Sequence, residues 1–254
     1  MQERFSRVEL LLGEAAMDVL ARSRVAVFGV GGVGGFAAEA LARSGVGAID
    51  LVDHDVVSPT NVNRQIVALG STIGRGKAEV MAERIADINP TCRVTAHRCF
   101  FLPDTADEID LAQFDYVIDA VDTVTAKLLL VARAQEAGTP IISSMGTANK
   151  LDPTALRVGD ISETSICPLA KIIRKECRKR GIERLKVVYS TEPARQPSDE
   201  AQQAYREAML AAGAETPDKF GRAGIPASAA FVPPAAGLVL ASEVVRDLVA
   251  GVSA

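Results

Sequence analysis

The segment from Val25 to Gln65 constrains the fold of this chain more than any other. An apolar run, Val25 to Phe28, leads into Gly29-Val30-Gly31-Gly32-Val33-Gly34, and a helical pattern of small and apolar residues, Phe36 to Ala42, follows. A second apolar run, Ala48 to Val52, ends on Asp53. Short apolar runs bounded by glycine read as buried strands. The order strand, glycine turn, helix, strand, acid sets phosphates on a helix N-terminus and a ribose on a carboxylate. The expectation is a nucleotide site built from Gly29, Gly31, Gly32, Gly34 and Asp53.

The residues after Asp53 narrow the nucleotide. Asp53-His54-Asp55 and Asn61-Val62-Asn63-Arg64-Gln65 crowd carboxylates, amides and an arginine into one short run. Gly74-Arg75-Gly76-Lys77 then opens a helix with a lysine in its first turn, and Tyr116 to Asp122 reads as a buried strand ending in acids. Arginine and lysine converging on a phosphate chain, with carboxylates to spare for a divalent ion, suit ATP and Mg²⁺ better than a dinucleotide. Taken singly, Asp53 also reads as a strand-end residue, Lys77 as a solvated one and Asp55 as a loop tie. Arg64, set among Val62, Ile66 and Val67, has no obvious solvent role.

These motifs together resemble the ubiquitin-activating-like ThiF/MoeB/HesA superfamily, over roughly the first 150 residues. The resemblance implies a domain that binds ATP and Mg²⁺ and adenylates a carboxylate. Carried onto this chain, Gly31 and Gly34 admit the phosphates and Asp53 holds the ribose. Asn61, Arg64, Gln65 and Lys77 contact the phosphates, and Asp122 organises the metal and the acyl phosphate. Arg4-Phe5-Ser6-Arg7, ahead of a helical pattern from Val8 to Leu20, resembles an element that reaches into a partner subunit. Arg7 would then complete a composite site in a homodimer. One branch is most similar, the tRNA threonylcarbamoyladenosine dehydratases, through AEALARSGVGAIDLVDHDVVSPTNVNRQ, KAEVMAERIADINP, YVIDAVD, Leu151 to Thr154 and Pro168. That resemblance implies ATP-dependent cyclisation of threonylcarbamoyladenosine in tRNA, with loss of water and no cysteine nucleophile.

Composition agrees with an enzyme of this kind. The chain has 254 residues, 48% hydrophobic and 24% charged, enough for one large α/β domain or two small ones. No signal segment or membrane-length apolar run is evident, and a cytoplasmic location is expected. Cys92, Cys99, Cys167 and Cys177 include no CxxC pair, so the structural zinc of several superfamily members is not expected. Cys167 is the one thiol near a plausible crossover loop, and a buried cysteine explains it as readily.

Two long-range features complete the reading. From Leu169 to Arg180, Leu169, Ile172, Ile173 and Cys177 fall on one helical face, beside a basic ridge of Lys171, Arg174, Lys175 and Arg178. In a chain of net charge −4 this local excess points to tRNA phosphates or to a solvated face. Residues 191–224 are polar and read as a mobile insertion with a short helix from Asp199 to Ala212. The expected architecture is α/β, a Rossmann-like mostly parallel sheet with helices on both faces. Residues 1–254 would form one unit, 1–150 the nucleotide core and 151–254 the sheet completion and tRNA elements. The chief alternative is an adenylyltransferase acting on a ubiquitin-like sulfur-carrier protein, which would call for zinc cysteines or a positioned thiol. An NAD-dependent dehydrogenase has no use for Arg64 or Lys77, and a non-catalytic ATP- or tRNA-binding scaffold has none for the full set. A monovalent ion assisting ATP is left open.

Overall fold

Along Val25-Ala26-Val27-Phe28 the side chains alternate between two hydrophobic layers, and all four are fully buried. A strand covered on both faces belongs in a parallel sheet flanked by helices. The computed structural model, which describes residues 3–211 and 225–252, has that form. Its strands are β1 (Arg24–Phe28), β2 (Ala48–Val52), β3 (Arg93–His97), β4 (Tyr116–Asp119), β5 (Ile141–Ser144), β6 (Leu156–Asp160) and β7 (Lys186–Ser190). They lie in the order β3-β2-β1-β4-β5-β7-β6, and only β6 runs antiparallel to its neighbour.

Helices α1 (Ser6–Leu12), α2 (Glu14–Arg22), α3 (Gly34–Arg43), α4 (Lys77–Ile88), α5 (Val124–Ala137), α6 (Pro168–Lys179), α7 (Asp199–Ala211) and α8 (Val232–Leu248) surround the sheet. One layer packs α3, α4 and α8 on Val25, Val27, Ile49 and Leu51. The opposite layer packs α5 on Ala26, Phe28 and Val117, and extends through α5 and α6 to Val187. Among the described residues, no helix is long and apolar enough to cross a membrane.

Several boundaries differ from expectation for local reasons. The N-terminal helical pattern is two helices, because Gly13 takes φ 86° between them. The fourth strand ends at Asp119, three residues early, and a turn carries the chain into α5. The apolar face of α6 is Ala170, Ile173 and Cys177, whereas Ile172 is 47% exposed. Rotating the helix by one position brings Cys177 and Ile173 onto α5 and leaves Ile172 outside. The expected insertion contributes α7, and its stretch from 212 to 224 lies outside the described residues.

Below the sheet, Asp50 is a buried electrostatic anchor. Arg24 donates two hydrogen bonds to its carboxylate, at 2.8 and 2.9 Å, and the His97 ring lies 2.9 Å away. Burial alone would push the Asp50 carboxyl up; the bonds to Arg24 and His97 outweigh it and hold the group below its ordinary value of 3.8. Its contribution to stability is therefore full above that value and is lost as pH falls through the depressed folded value. Asp50→Asn should cost about 2–3 kcal/mol, less than a fully enclosed pair because Arg24 and His97 are partly solvated. Thermal melts should show a Tm drop of roughly 5–10 °C near neutral pH, shrinking below pH 3.8. An equal drop at every pH would show that packing, not charge, is lost.

Candidate functional site

The chain runs from β1 outward through β2 and β3, then returns to start β4 on the other side of β1. The C-terminal ends of β1 and β4 therefore form the switch point of the sheet, where doubly wound folds place their ligand crevice. Gly29 sits at this point with φ 86°, and a Cβ on it would lie 2.7 Å from the Ala120 carbonyl oxygen. Gly34 opens α3 so close to the turn that its Cβ would lie 1.8 Å from the Gly29 oxygen. Only glycine permits both approaches. Gly31 and Gly32 lie between them and line the crevice.

Asp53, at the end of β2, is nearly buried and grips the glycine loop. Its Oδ2 accepts the Val30 N–H at 2.6 Å and its Oδ1 accepts the Asp55 N–H at 2.8 Å. Burial pushes its carboxyl above the ordinary range, with the Lys77 charge acting against that rise. Asp55 ties the same strand end to α4: its carboxylate accepts Lys77 Nζ at 2.7 Å, and its carbonyl accepts the Lys77 N–H at 3.0 Å. Lys77 is 5% exposed and stands in the first turn of α4. His54 Nε2 stands 2.8 Å from Asp55 Oδ1, and its ring stacks on Phe100 with centroids 3.2 Å apart.

The Asn61–Gln65 run forms the second wall. Asn61 is buried and its Oδ1 accepts the Ser58 N–H at 3.1 Å, so it caps the turn that presents Arg64. The Arg64 stem lies against Gly32, and its Nη1 donates to the Thr60 carbonyl and to Asn63 Oδ1, both at 2.9 Å. Burial pulls its guanidinium below its ordinary value, with Tyr205 of α7 acting against that shift. Gln65 is 8% exposed, yet its Oε1 has no hydrogen-bond partner. Its Nε2 would meet a Gly31 Cβ at 3.7 Å. A buried amide oxygen without a partner beside a glycine loop is an acceptor that a ligand there would satisfy.

Asp122 is exposed on the turn after β4. Beneath it lies a group that sequence reading passed over: Asp119, Lys127 and Ser143 are each 0% exposed. Lys127 Nζ donates to Asp119 Oδ2 at 2.7 Å, Ser143 Oγ at 3.1 Å and the Ser144 carbonyl at 3.0 Å. The other Asp119 oxygen accepts the Val121 N–H at 3.2 Å, which fixes the turn that carries Asp122. The clue was present in the sequence: Lys127 falls at an inward position of α5 with Ala126, Leu130, Val131 and Ala134, where a charge needs a buried partner.

The remaining expected residues lie elsewhere. Arg7 is exposed on α1. Its neighbour Arg4 donates to Asp87 and Ile88 carbonyls at the far end of α4. The full helix, about 18 Å of rise, separates that end from Lys77. Along α6, Lys171, Lys175 and Arg178 are exposed, but Arg174 is not a free ridge cation. Its Nη1 donates to Thr164 O and Oγ1, both at 2.6 Å. The cysteines are free thiols, and burial raises Cys92 to about 11 and also raises Cys99 and Cys177. Among the described residues, the one cluster with three metal-binding side chains is Asp53, His54 and Asp55, with ligand atoms within 4.8 Å.

Comparison with known proteins agrees with this geometry. The ThiF family model matches residues 5–251. A tRNA threonylcarbamoyladenosine dehydratase of Bacillus subtilis is 46% identical, over 98% of this chain and 95% of that one. The Escherichia coli tRNA N6-threonylcarbamoyladenosine dehydratase TcdA, solved in complex with ATP, superposes with a TM-score of 0.84 at 35% identity, over 98% of this chain and 95% of that chain. A more distant relative, the probable adenylyltransferase/sulfurtransferase MoeZ of Mycobacterium tuberculosis, is 36% identical over 55% of this chain and 36% of that protein. By its glycine loop, its Asn61–Gln65 wall and its match along almost the whole length, this chain belongs to the ThiF family, in the branch of the tRNA threonylcarbamoyladenosine dehydratases.

Proposed function

We propose that this protein uses ATP to dehydrate threonylcarbamoyladenosine in tRNA, closing it to its cyclic form. The observation that carries the reading is the unpartnered, buried Gln65 Oε1 in an amide set beside Gly31 of the glycine loop, next in sequence to Arg64. A free carboxylate is a poor electrophile. Its oxygen attacks the α-phosphorus of ATP and pyrophosphate leaves; a nucleophile of the same modified base then attacks the activated carbon, and AMP carries off a carboxylate oxygen. The sum is loss of one water, and no enzyme thiol enters it.

The chain's own groups have separable tasks. Gly29, Gly31, Gly32 and Gly34 let the phosphates approach backbone N–H groups, and Asp53 stands where a ribose is held. Arg64, Lys77 and Gln65 hold phosphate oxygens, while Asn61 sets the turn beneath Arg64. Lys77 must leave Asp55 to do so. The residues fit Mg²⁺: Asp122, on the turn after β4, and Asp55, after β2, are exposed carboxylates, and the ion takes one or two carboxylates together with phosphates. When bound, the ion would neutralise charge on the leaving pyrophosphate.

Arg7 cannot reach its own chain's crevice, and beside it on α1 Leu10 is 89% and Leu11 79% exposed. An exposed apolar pair next to a free arginine supports a homodimer in which Arg7 serves the partner's site. Lys171, Lys175 and Arg178 form the tRNA-facing surface, with Arg174 bracing it from behind, and a tRNA substrate sets the reaction in the cytoplasm. The chain acts as one ThiF-type unit, with residues 151–254 adding the tRNA side. A sulfur-carrier adenylyltransferase is the second reading, supported by the MoeZ likeness over part of the chain.

The deciding experiment incubates the protein with ATP, Mg²⁺ and tRNA bearing linear threonylcarbamoyladenosine, then digests the tRNA for nucleoside mass spectrometry. ATP-dependent loss of one water is expected; no mass change, with ATP–pyrophosphate exchange on adding a ubiquitin-like carrier, would move the assignment to the second reading. Asp122→Asn should bind ATP normally by calorimetry yet lose about 100-fold or more in turnover. Lys127→Met should do the same through the turn, and normal turnover in it would leave the buried ion pair without a positioning role. Charge reversal of Lys171 and Lys175 should weaken tRNA binding and lower the salt slope by about two. An unchanged slope would make α6 an ordinary surface helix.

A further inference from the structure

Ile166 is the only β-branched residue among the described residues with a positive φ, at 64°. The Cys167 N–H donates to the Ser165 carbonyl at 2.6 Å and closes a three-residue turn around it. A β-branched side chain crowds its own backbone in this region, and this turn is the rare, strained form. Burial does not repay the strain, because Ile166 is 56% exposed.

The surroundings force the turn from both sides. Upstream, Thr164 is buried; its Oγ1 donates to the Ile161 carbonyl at 2.7 Å, and Arg174 clamps both its carbonyl and its hydroxyl. Downstream, Cys167 is 3% exposed, and a Cβ on Gly146 would lie 3.5 Å from its sulfur. Gly146 follows β5 by two residues, in the loop leaving the edge of the sheet where Asp122 also stands. The chain thus holds an apolar side chain out toward solvent, in a costly conformation, near the crevice.

Charge around it identifies the partner. Lys171 and Lys175 follow on the exposed side of α6, and Ile172 between them is 47% exposed. An apolar projection set in a cationic ridge suits a polyanion with unstacked, flat apolar faces, which is the chemistry of single-stranded RNA. We propose that Ile166 is a wedge that packs against an unstacked base of the tRNA, beside phosphates held by Lys171 and Lys175. This inference rests on the proposed tRNA reaction and names how its substrate is gripped.

The test compares Ile166→Gly and Ile166→Asn with wild type, two residues that accept positive φ. Equilibrium binding of tRNA carrying linear threonylcarbamoyladenosine is measured across a salt series, with thermal melts, ATP calorimetry and dehydration by the wild type in parallel. Both variants should bind this tRNA about tenfold more weakly. The salt slope should not change, because no phosphate contact is lost. ATP affinity should hold, and Tm should equal or exceed that of wild type as strain is released. Unchanged tRNA affinity overturns the wedge, and so does a lower Tm in both variants, which would make Ile166 a packing residue. If wild type binds the tRNA without dehydrating it, the reaction reading fails while the affinity comparison still decides the wedge.

Discussion

The geometry of the whole site depends on one close approach, where the backbone at Gly29 passes the carbonyl of Ala120. A methyl group there would have to sit 2.7 Å from that oxygen, so the glycine loop and the turn after β4 can touch only because a side chain is missing. This contact joins the two halves of the sheet where their strands part. It brings the turn that carries Asp122 against the glycine loop. A buried ion pair maintains it from below. Lys127 and Asp119 are wholly removed from water, which is tolerable only because four further polar contacts complete them.

How much of this was legible in the sequence depended on the kind of signal. The glycine turn between two buried strands and the mostly parallel sheet were readable because backbone sterics and burial on both faces leave few choices of residue. The helix expected to open at Lys77 begins at that residue. What escaped were pairings between distant residues. Nothing in YVIDAVD says that its first acid points inward to a lysine on the next helix while its second faces out. Composition suggested a four-residue basic ridge, yet one of the four is spent on Thr164, because a long side chain at a half-buried helix position finds the nearest carbonyl. Asn61 likewise reads as a ligand contact and serves as a cap, a role its neighbours Ser58 and Pro59 foreshadow.

Besides the core that α8 shares with α3 and the sheet, small polar contacts tie the second half of the chain to the first. Asn149, held at φ 61°, accepts the Ala227 N–H through its side chain and exchanges backbone bonds with Ala227 and Arg195, each at 2.7 Å. Asn63, which also receives the Arg64 guanidinium, donates to the Ser228 carbonyl at 2.8 Å. The chain before α7 and the chain leading into α8 are thus fastened to the wall that presents Arg64. Asn63 thus bonds both that segment and the Arg64 guanidinium.

With Lys77 holding phosphate as proposed, its pairing with Asp55 would bear on what the site can hold and what it lets go. An ammonium with a built-in counter-ion is a filter for charge: a visitor gains from Lys77 only the margin by which its own charge density exceeds that of a carboxylate. A triphosphate has that margin and a bare nucleoside has none. A nucleoside monophosphate, left after the reaction, has far less of it and must contend with Asp55 as it reclaims its lysine. On the proposed reaction the resting ion pair would thereby favour departure of the spent nucleotide, by restoring a bond between two of the protein's own side chains.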